Sequence, residues 1–286
     1  MIKVACMARG PLLSRRAMLT GVLPAMLALA ACRRVETPKV TPAPVRVRLA
    51  ADSAVIPLVR ALAQAYQRER PNWAFTFETG NAVVINELAS AGTIDLAAVS
   101  VLPESFKPWF TDLAVDGIAV IVNAANPVNG LTLAEVRDVF AGFRNEWAFF
   151  GAQQSGSILA VVREADEGSR AVFDRQVMGD VGVTSSAVVM PTPETVINYV
   201  ALNPGAIGYV PSGRITAAPQ PAVKMLTLDG QAVSVEALAN GTYPLRRSLY
   251  LVARTEPQGR LREFVTWMFG PDARAITTSL GYATLS

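Results

Sequence analysis

The chain has 286 residues, 51% of them hydrophobic, enough to bury a substantial core as one large domain or two smaller ones, and disorder is excluded. Its formal charge of +3 comes from interspersed basic and acidic residues with no long basic block, which sets nucleic acid aside as a partner. The chain contains no histidine, so the commonest general base, the Ser-His and Cys-His nucleophile pairs and every His-containing metal site are absent.

The first element is an N-terminal targeting segment, residues 1–32. Arg15 and Arg16 in "SRRAML" precede an apolar run from Ala17 to Ala31, which ends in Leu29-Ala-Ala-Cys32. That run is shorter than the roughly 18 to 20 apolar residues a membrane span needs, and its charged front and small-residue end are those of an export signal. Ser14 and the arginine pair, with Met18 and Leu19, resemble a twin-arginine signal; Leu-Ala-Ala-Cys resembles the lipobox at which bacterial lipoproteins are lipidated and cut. Cleavage before Cys32 discards Cys6 and leaves one lipidated cysteine, so no disulfide forms within a mature chain. Residues 33–45, "RRVETPKVTPAPV", are rich in Pro and Thr without periodicity and read as a tether, because three prolines argue against an edge strand.

From Val45 the pattern alternates strands and helices. "VRVRLA" predicts a strand, Val55 to Tyr66 a helix, "AFTFE" a strand, Val84 to Leu88 the start of a second helix, and "IDLAAVS" a third strand. "DGIAVIVN", Asp116 to Asn123, reads as a buried strand, and Thr132 with Glu135 as a capping box before the next helix. Strand "ILAVV", helices from Ser169 and from Glu194 to Ala201, strand "AIGYV", helix "VSVEALAN", strand "LYLVA" and a closing helix around Leu261 to Phe269 complete an α/β pattern with a mainly parallel sheet. Trp73, Trp109, Trp147 and Trp267 sit among apolar neighbours and read as packing groups.

Five stretches in order, "DGIAVIVNAANPV", "LTLAEVRDVFAGFRNEW", "VVREADEGSRAVF", "NPGAIGYV" and "YPLRRSLYLVA", resemble the phosphate-binding proteins of bacterial ABC importers, of the periplasmic-binding-protein type 2 superfamily. The resemblance implies two α/β lobes joined by two hinge strands, with crossings near Ala119 to Asn123 and Leu245 to Leu251. Lobe I is then residues 46–120 and 248–286, and lobe II residues 121–247. It also implies a lipid-anchored, exported binding protein on the periplasmic or outer face of the bacterial cell membrane. Such a protein captures an inorganic oxyanion, phosphate foremost, for an ABC permease, with no catalysis and no cofactor. An exported hydrolase is disfavoured by the missing histidine and by the lack of a Gly-x-Ser-x-Gly nucleophile motif.

In that family the anion is held by backbone N–H groups at helix starts, by hydroxyls and by one arginine. The resemblance places Ser53 in the first loop "AADSAV", Asn81 in "ETGNAVV", Ser100 after "IDLAAV", and Gly168, Ser169 and Arg170 in "DEGSR" as ligand-binding residues. Arg170 is the implied charged anchor. The loops also depart from the family: Asp52 adds a carboxylate, Ser100 stands near where phosphate-specific members place an aspartate, and Glu167 interrupts an Asp-Ser-Gly-Thr-Arg pattern. A carboxylate about 4 Å from the anion costs on the order of 4 kcal/mol per charge pair at an effective dielectric near 20, so Glu167 must point away, be protonated or change the ligand. The alternative function is a diverged sensor or protein-interaction module in which Glu167 occupies the anion's place.

Two readings of the same residues stay open. Asp166 and Glu167 are also ordinary helix-start residues, and Arg170 can pair with Asp174 one turn on. Tyr209, Ser212 and Arg214 follow a strand end, as cleft groups or as a solvated turn; Arg246 and Arg247 are either surface charges or partner contacts.

Overall fold

The computed structural model describes residues 43–105, 107–152, 156–216 and 220–285. The signal segment, Cys32 and the tether up to residue 42 lie outside the described residues, and the described residues belong to one compact unit.

β1 (Val45–Asp52) alternates arginine outward with Val47 and Leu49 inward before turning fully buried. α1 (Ile56–Glu69) buries Leu58, Val59, Leu62, Ala63 and Tyr66 at helical spacing, and its first turn carries a proline where the missing N–H leaves no bond unmade. β2 (Trp73–Gly80), α2 (Ala82–Ala91) and β3 (Leu96–Val99) follow. Next come β4 (Trp109–Asn123), β5 (Gly130–Leu131) and α3 (Leu133–Phe140), the last opened by the expected Thr132–Glu135 capping box. β6 (Leu159–Arg163) leads into α4 (Gly168–Phe173), continued by a π-helical turn over Asp174–Met178. Then come β7 (Val188–Met190), α5 (Pro193–Leu202), β8 (Ala206–Pro211), α6 (Gly213–Thr216), β9 (Val223–Met225), β10 (Thr227–Leu228) and α7 (Val235–Asn240). The chain closes with β11 (Arg246–Ala253), α8 (Gly259–Met268) and α9 (Pro271–Ser279).

The main sheet runs β2-β1-β3-β11-β4-β8-β6-β7, with β9 also on β4; β5 and β10 form a separate pair. Its flanks, β2-β1-β3 and β8-β6-β7, are parallel, as alternating strands and helices require. Its middle is antiparallel, because β4 and β11 cross between the two halves in opposite directions. The sheet is therefore mixed rather than mainly parallel.

Among the described residues four clusters of buried apolar residues form the interior, and the two largest flank this crossing. The first gathers Val47, Leu49, Leu58, Leu62, Tyr66 and Trp73 with Leu249, Leu251, Phe264 and Met268. The second gathers Val120, Val122, Val136, Phe140, Trp147, Val162, Phe173 and Tyr209 with Leu245. β4 contributes to both: Leu113 and Ala114 pack in the first, Val115 and Ile118 in the second. Ala283 pairs with Val115 through N–H···O bonds of 2.8 and 2.9 Å, which returns the C-terminus to the crossing.

The tryptophans serve packing. Tyr66 meets Trp73 and Trp267 edge-on at 5.0 and 5.1 Å, contacts of a kind each adding about 0.5–1.5 kcal/mol beyond burial. Trp147 is fully buried and donates its indole N–H to the Gly205 carbonyl at 2.9 Å. Among the described residues no helix is long and apolar enough to cross a membrane.

Candidate functional site

The ends of β1 and β3, from the first core, face the start of α4, from the second. β1 ends in Asp52, which is 1% exposed. Its carboxylate accepts from the N–H and hydroxyl of Ser100 at 2.6 and 2.7 Å, and from the N–H groups of Ala54 and Val55 at 3.0 and 3.3 Å. The N–H groups at the start of α1, which an external anion would otherwise use, are thus taken by a side chain of the same loop. Burial pushes the Asp52 carboxyl above its ordinary pKa, against the opposing pull of Arg247 and of the bonds from Ser100.

Across the cleft, Glu167 caps α4. Its Oε2 accepts from the N–H of Ser169 at 2.7 Å and of Arg170 at 3.3 Å, its Oε1 accepts from the Ser53 hydroxyl at 2.6 Å, and Nη1 of Arg163 lies 3.6 Å from Oε1. Glutamate is not among the favoured N-caps, since its extra methylene overshoots the short Asp or Ser geometry. Here that length carries Oε1 to Ser53, on the opposite side of the cleft. Burial pushes the Glu167 carboxyl up, but Arg163, the Ser53 hydroxyl, Arg247 and the Ser169 N–H outweigh it and hold it below its ordinary value. The donors expected to hold an oxyanion hold this carboxylate.

The other expected residues gather around it. Asn81 caps α2 by accepting from the Val84 N–H at 2.9 Å and donates its amide to Asp166 across the cleft at 2.6 Å. Gly168 lies so close to Ser100 that an added Cβ would collide with the Ser100 hydroxyl, and only a glycine permits that approach. The Ser169 hydroxyl accepts from Nη1 of Arg247 at 3.1 Å.

Arg170 contributes its backbone N–H alone. Its guanidinium bonds Asp174 at 2.7 and 2.8 Å and the Arg163 carbonyl at 3.0 Å, along its own helix and off the Glu167 carboxylate. The cationic side chains that reach the site are Arg247 and Arg163. Arg247 is 5% exposed and bonds Asp116 at 2.9 and 3.3 Å; Asp116 also accepts from Ser212 at 3.0 Å. Arg163 is 2% exposed, and its Nη1 has no hydrogen-bond partner, only the facing Glu167 oxygen. A signal for both was present in the sequence. Leu245, Arg247, Leu249 and Leu251 share a period-2 face, and Arg163 ends an apolar strand at the edge where α/β ligand sites lie. Arg214 bonds the Ser53 carbonyl at 2.5 Å and pairs with Glu194 at 3.0 Å, so its turn faces the cleft; Tyr209 is instead a core group stacked on Phe173.

Among the described residues the buried charges are thus Asp52, Asp116 and Glu167 against Arg163 and Arg247, three carboxylates to two guanidiniums. An added dianion would enter a cluster already short of positive charge.

Two α/β lobes on either side of paired crossing strands, with hydrogen-bond donors converging between them, define a hinged solute-binding fold. Residues 38–272 match the model of the PBP superfamily domain, and the chain belongs to that superfamily. It is 25% identical over 241 residues to the phosphate-binding protein PstS of Bacillus subtilis, covering 82% of this chain and 79% of that protein. In structure it is similar to a candidate phosphate ABC transporter substrate-binding protein from Clostridium perfringens with bound phosphate, at a TM-score of 0.77 and 22% identity over 84% of this chain and all of the other. An ABC-type phosphate transport receptor from Vibrio cholerae superposes with a TM-score of 0.69 at 24% identity, covering 83% of this chain and 99% of that one.

Proposed function

We propose that the chain is a non-enzymatic, extracytoplasmic solute-binding protein that delivers a small oxyanion, phosphate foremost, to an ABC permease, and that lipid on Cys32 anchors it to the membrane. The observation that carries this reading is the donor set on Glu167: the Ser169 and Arg170 N–H groups, the Ser53 hydroxyl and the Arg163 guanidinium converge on one planar anion between the lobes. The curated and structural relatives named for phosphate support the choice of ligand. In this reading the lobes are residues 46–120 with 248–286 and residues 121–247. Phosphate enters when the hinge opens and the Glu167 side chain swings out, and closure then depends on differential affinity for the two states.

The 2.6 Å bond from Ser53 to Glu167 favours a second reading, in which the protein's own carboxylate is the permanent occupant. The chain is then a sensor or interaction module that keeps the closed shape without phosphate. Calorimetry on the full chain with phosphate, sulfate, arsenate and molybdate separates the two. Micromolar phosphate binding that weakens in Ser53→Ala supports the receptor; no heat with any of the four overturns it in favour of the second reading.

A further inference from the structure

With Asp52 and Glu167 seated on the oxyanion donors, a cavity of about 460 Å³ lies open beside them. The segment after β3, α4 with its following turn, and β11 wall it, so it touches both lobes and the hinge. Arg175, Arg246 and Arg247 line it, and among the described residues no carboxylate does.

The three arginines are not equally committed. Arg247 uses three N–H groups on Asp116 and Ser169. Arg246 makes one long bond, 3.3 Å, to the Leu238 carbonyl. The Arg175 guanidinium makes no hydrogen bond or ion pair among the described residues. Like charges gathered on one wall repel, and an anion between them removes that cost. Guanidinium groups bind carboxylate and phosphate oxygens in pairs. The rest of the wall mixes the polar Ser100, Gln176 and Ser248 with an apolar side formed by Leu102, Val172 and the Tyr250 ring. The volume falls within the roughly 300–1,000 Å³ of small-molecule sites and is many times the roughly 30 Å³ share of one water, far more than an inorganic oxyanion fills.

We propose that this cavity is a ligand site for a small organic anion, with its acidic group, a carboxylate or a phosphate monoester, held by Arg175 and Arg246 and a compact apolar body against Leu102, Val172 and Tyr250. The inference rests on the chain being a solute receptor and not on inorganic phosphate being its ligand.

Calorimetry and thermal melting of the full chain use phenyl phosphate, benzoate, the neutral benzyl alcohol and inorganic phosphate as probes. Arg175 and Arg246 are exposed, so Arg175→Ala and Arg246→Ala do not lower the unliganded melting temperature. Phenyl phosphate or benzoate is expected to bind, and which of them binds identifies the acid. Each variant is expected to weaken that binding at least tenfold, and benzyl alcohol is expected to give no signal. The proposal is overturned if neither anion binds, if benzyl alcohol binds as well as they do, or if both variants bind like the wild type. It is also overturned if inorganic phosphate competes with phenyl phosphate and is lost in both arginine variants, since the cavity is then only the vestibule of the oxyanion seat. Inorganic phosphate binding that responds to Ser53→Ala and not to Arg175→Ala reports on the receptor reading alone.

Discussion

The Ser53 hydroxyl donates a 2.6 Å hydrogen bond to Oε1 of Glu167, joining residues 114 positions apart and tying the loop after β1 to the N-cap of α4. A bond to an ionised acceptor is stronger than a neutral one, and this one is partly buried. The Asn81–Asp166 bond at 2.6 Å and the Arg214 bond to the Ser53 carbonyl cross the same cleft. Side chains of the protein thus hold the lobes together, and an external ligand must compete with them to matter.

Replacing the competitor exposes the site. Glu167→Ala removes the cap and leaves the α4 N–H groups, Ser53 and Arg163 for an external anion. Without phosphate the variant is expected to lose about 3–5 kcal/mol, the cost of leaving a buried charge unpaired. Phosphate at about 100 times its dissociation constant is expected to restore about 2.7 kcal/mol to this variant. Melting curves of both proteins with and without phosphate check this; equal phosphate shifts in the two would count against Glu167 as the occupant.

Arg247 and Asp116 form a buried pair across β11 and β4, 131 positions apart in sequence. Arg247→Met strands the Asp116 carboxylate and is expected to cost about 3–5 kcal/mol, whereas adding Asp116→Leu recovers most of that loss. Urea unfolding of the two single variants and the double variant measures the coupling. An unchanged stability in Arg247→Met alone would contradict the pairing.

Gly168→Ala is expected to destabilise by about 1–3 kcal/mol, because the new methyl meets the Ser100 hydroxyl, which must shift and weaken its bond to Asp52. Ser100→Ala removes that oxygen, so the double variant is expected to be more stable than the sum of the single changes predicts. A double-mutant cycle by thermal melting reads this directly.

Stability is expected to depend on pH in two opposed steps. Burial holds Asp52 above its ordinary value, so its ionised form lowers stability near neutrality, and that cost disappears as pH falls through the raised value. Glu167 is held below its ordinary value, so its contribution is complete above the usual carboxylate range and is lost as pH falls through the lower one. Urea midpoints taken from about pH 7 down to about pH 3 are expected to rise and then fall. Glu167→Gln is expected to flatten the fall, and a full acid-side loss in that variant would rule out Glu167 as its source.

The lipid proposal has its own test. Cys32→Ala is expected to abolish incorporation of radiolabelled palmitate into the exported protein, and label retained in the variant would refute the anchor.

Local patterning determined most of the elements. The alternation in β1, the helical spacing of α1 and the Thr132–Glu135 capping box are each settled within a few residues, and the structure forms all three as expected. α9 was not foreseen as a separate helix from α8: Gly270 and Pro271 break the closing pattern, and Pro271 in the first turn starts a new helix rather than ending the old one. The antiparallel centre of the sheet escaped a local reading as well, because strand direction across the hinge is set by where distant segments return.

The site divides along the same line. "DEGSR" by itself determined a helix start rich in anion donors, and Asp52 and Glu167 stood out as charges that an oxyanion site should not hold. The turn of Arg170 to Asp174 is a pairing between neighbours one helical turn apart, open to a local reading, whereas only the tertiary structure decided what the donors hold and that Arg247 reaches Ser169. The physical reason is range. Helix caps and strand faces are decided between neighbours in sequence, whereas the partner of a buried charge is decided by which distant residues packing brings within about 3 Å, since nothing else in the interior can solvate it.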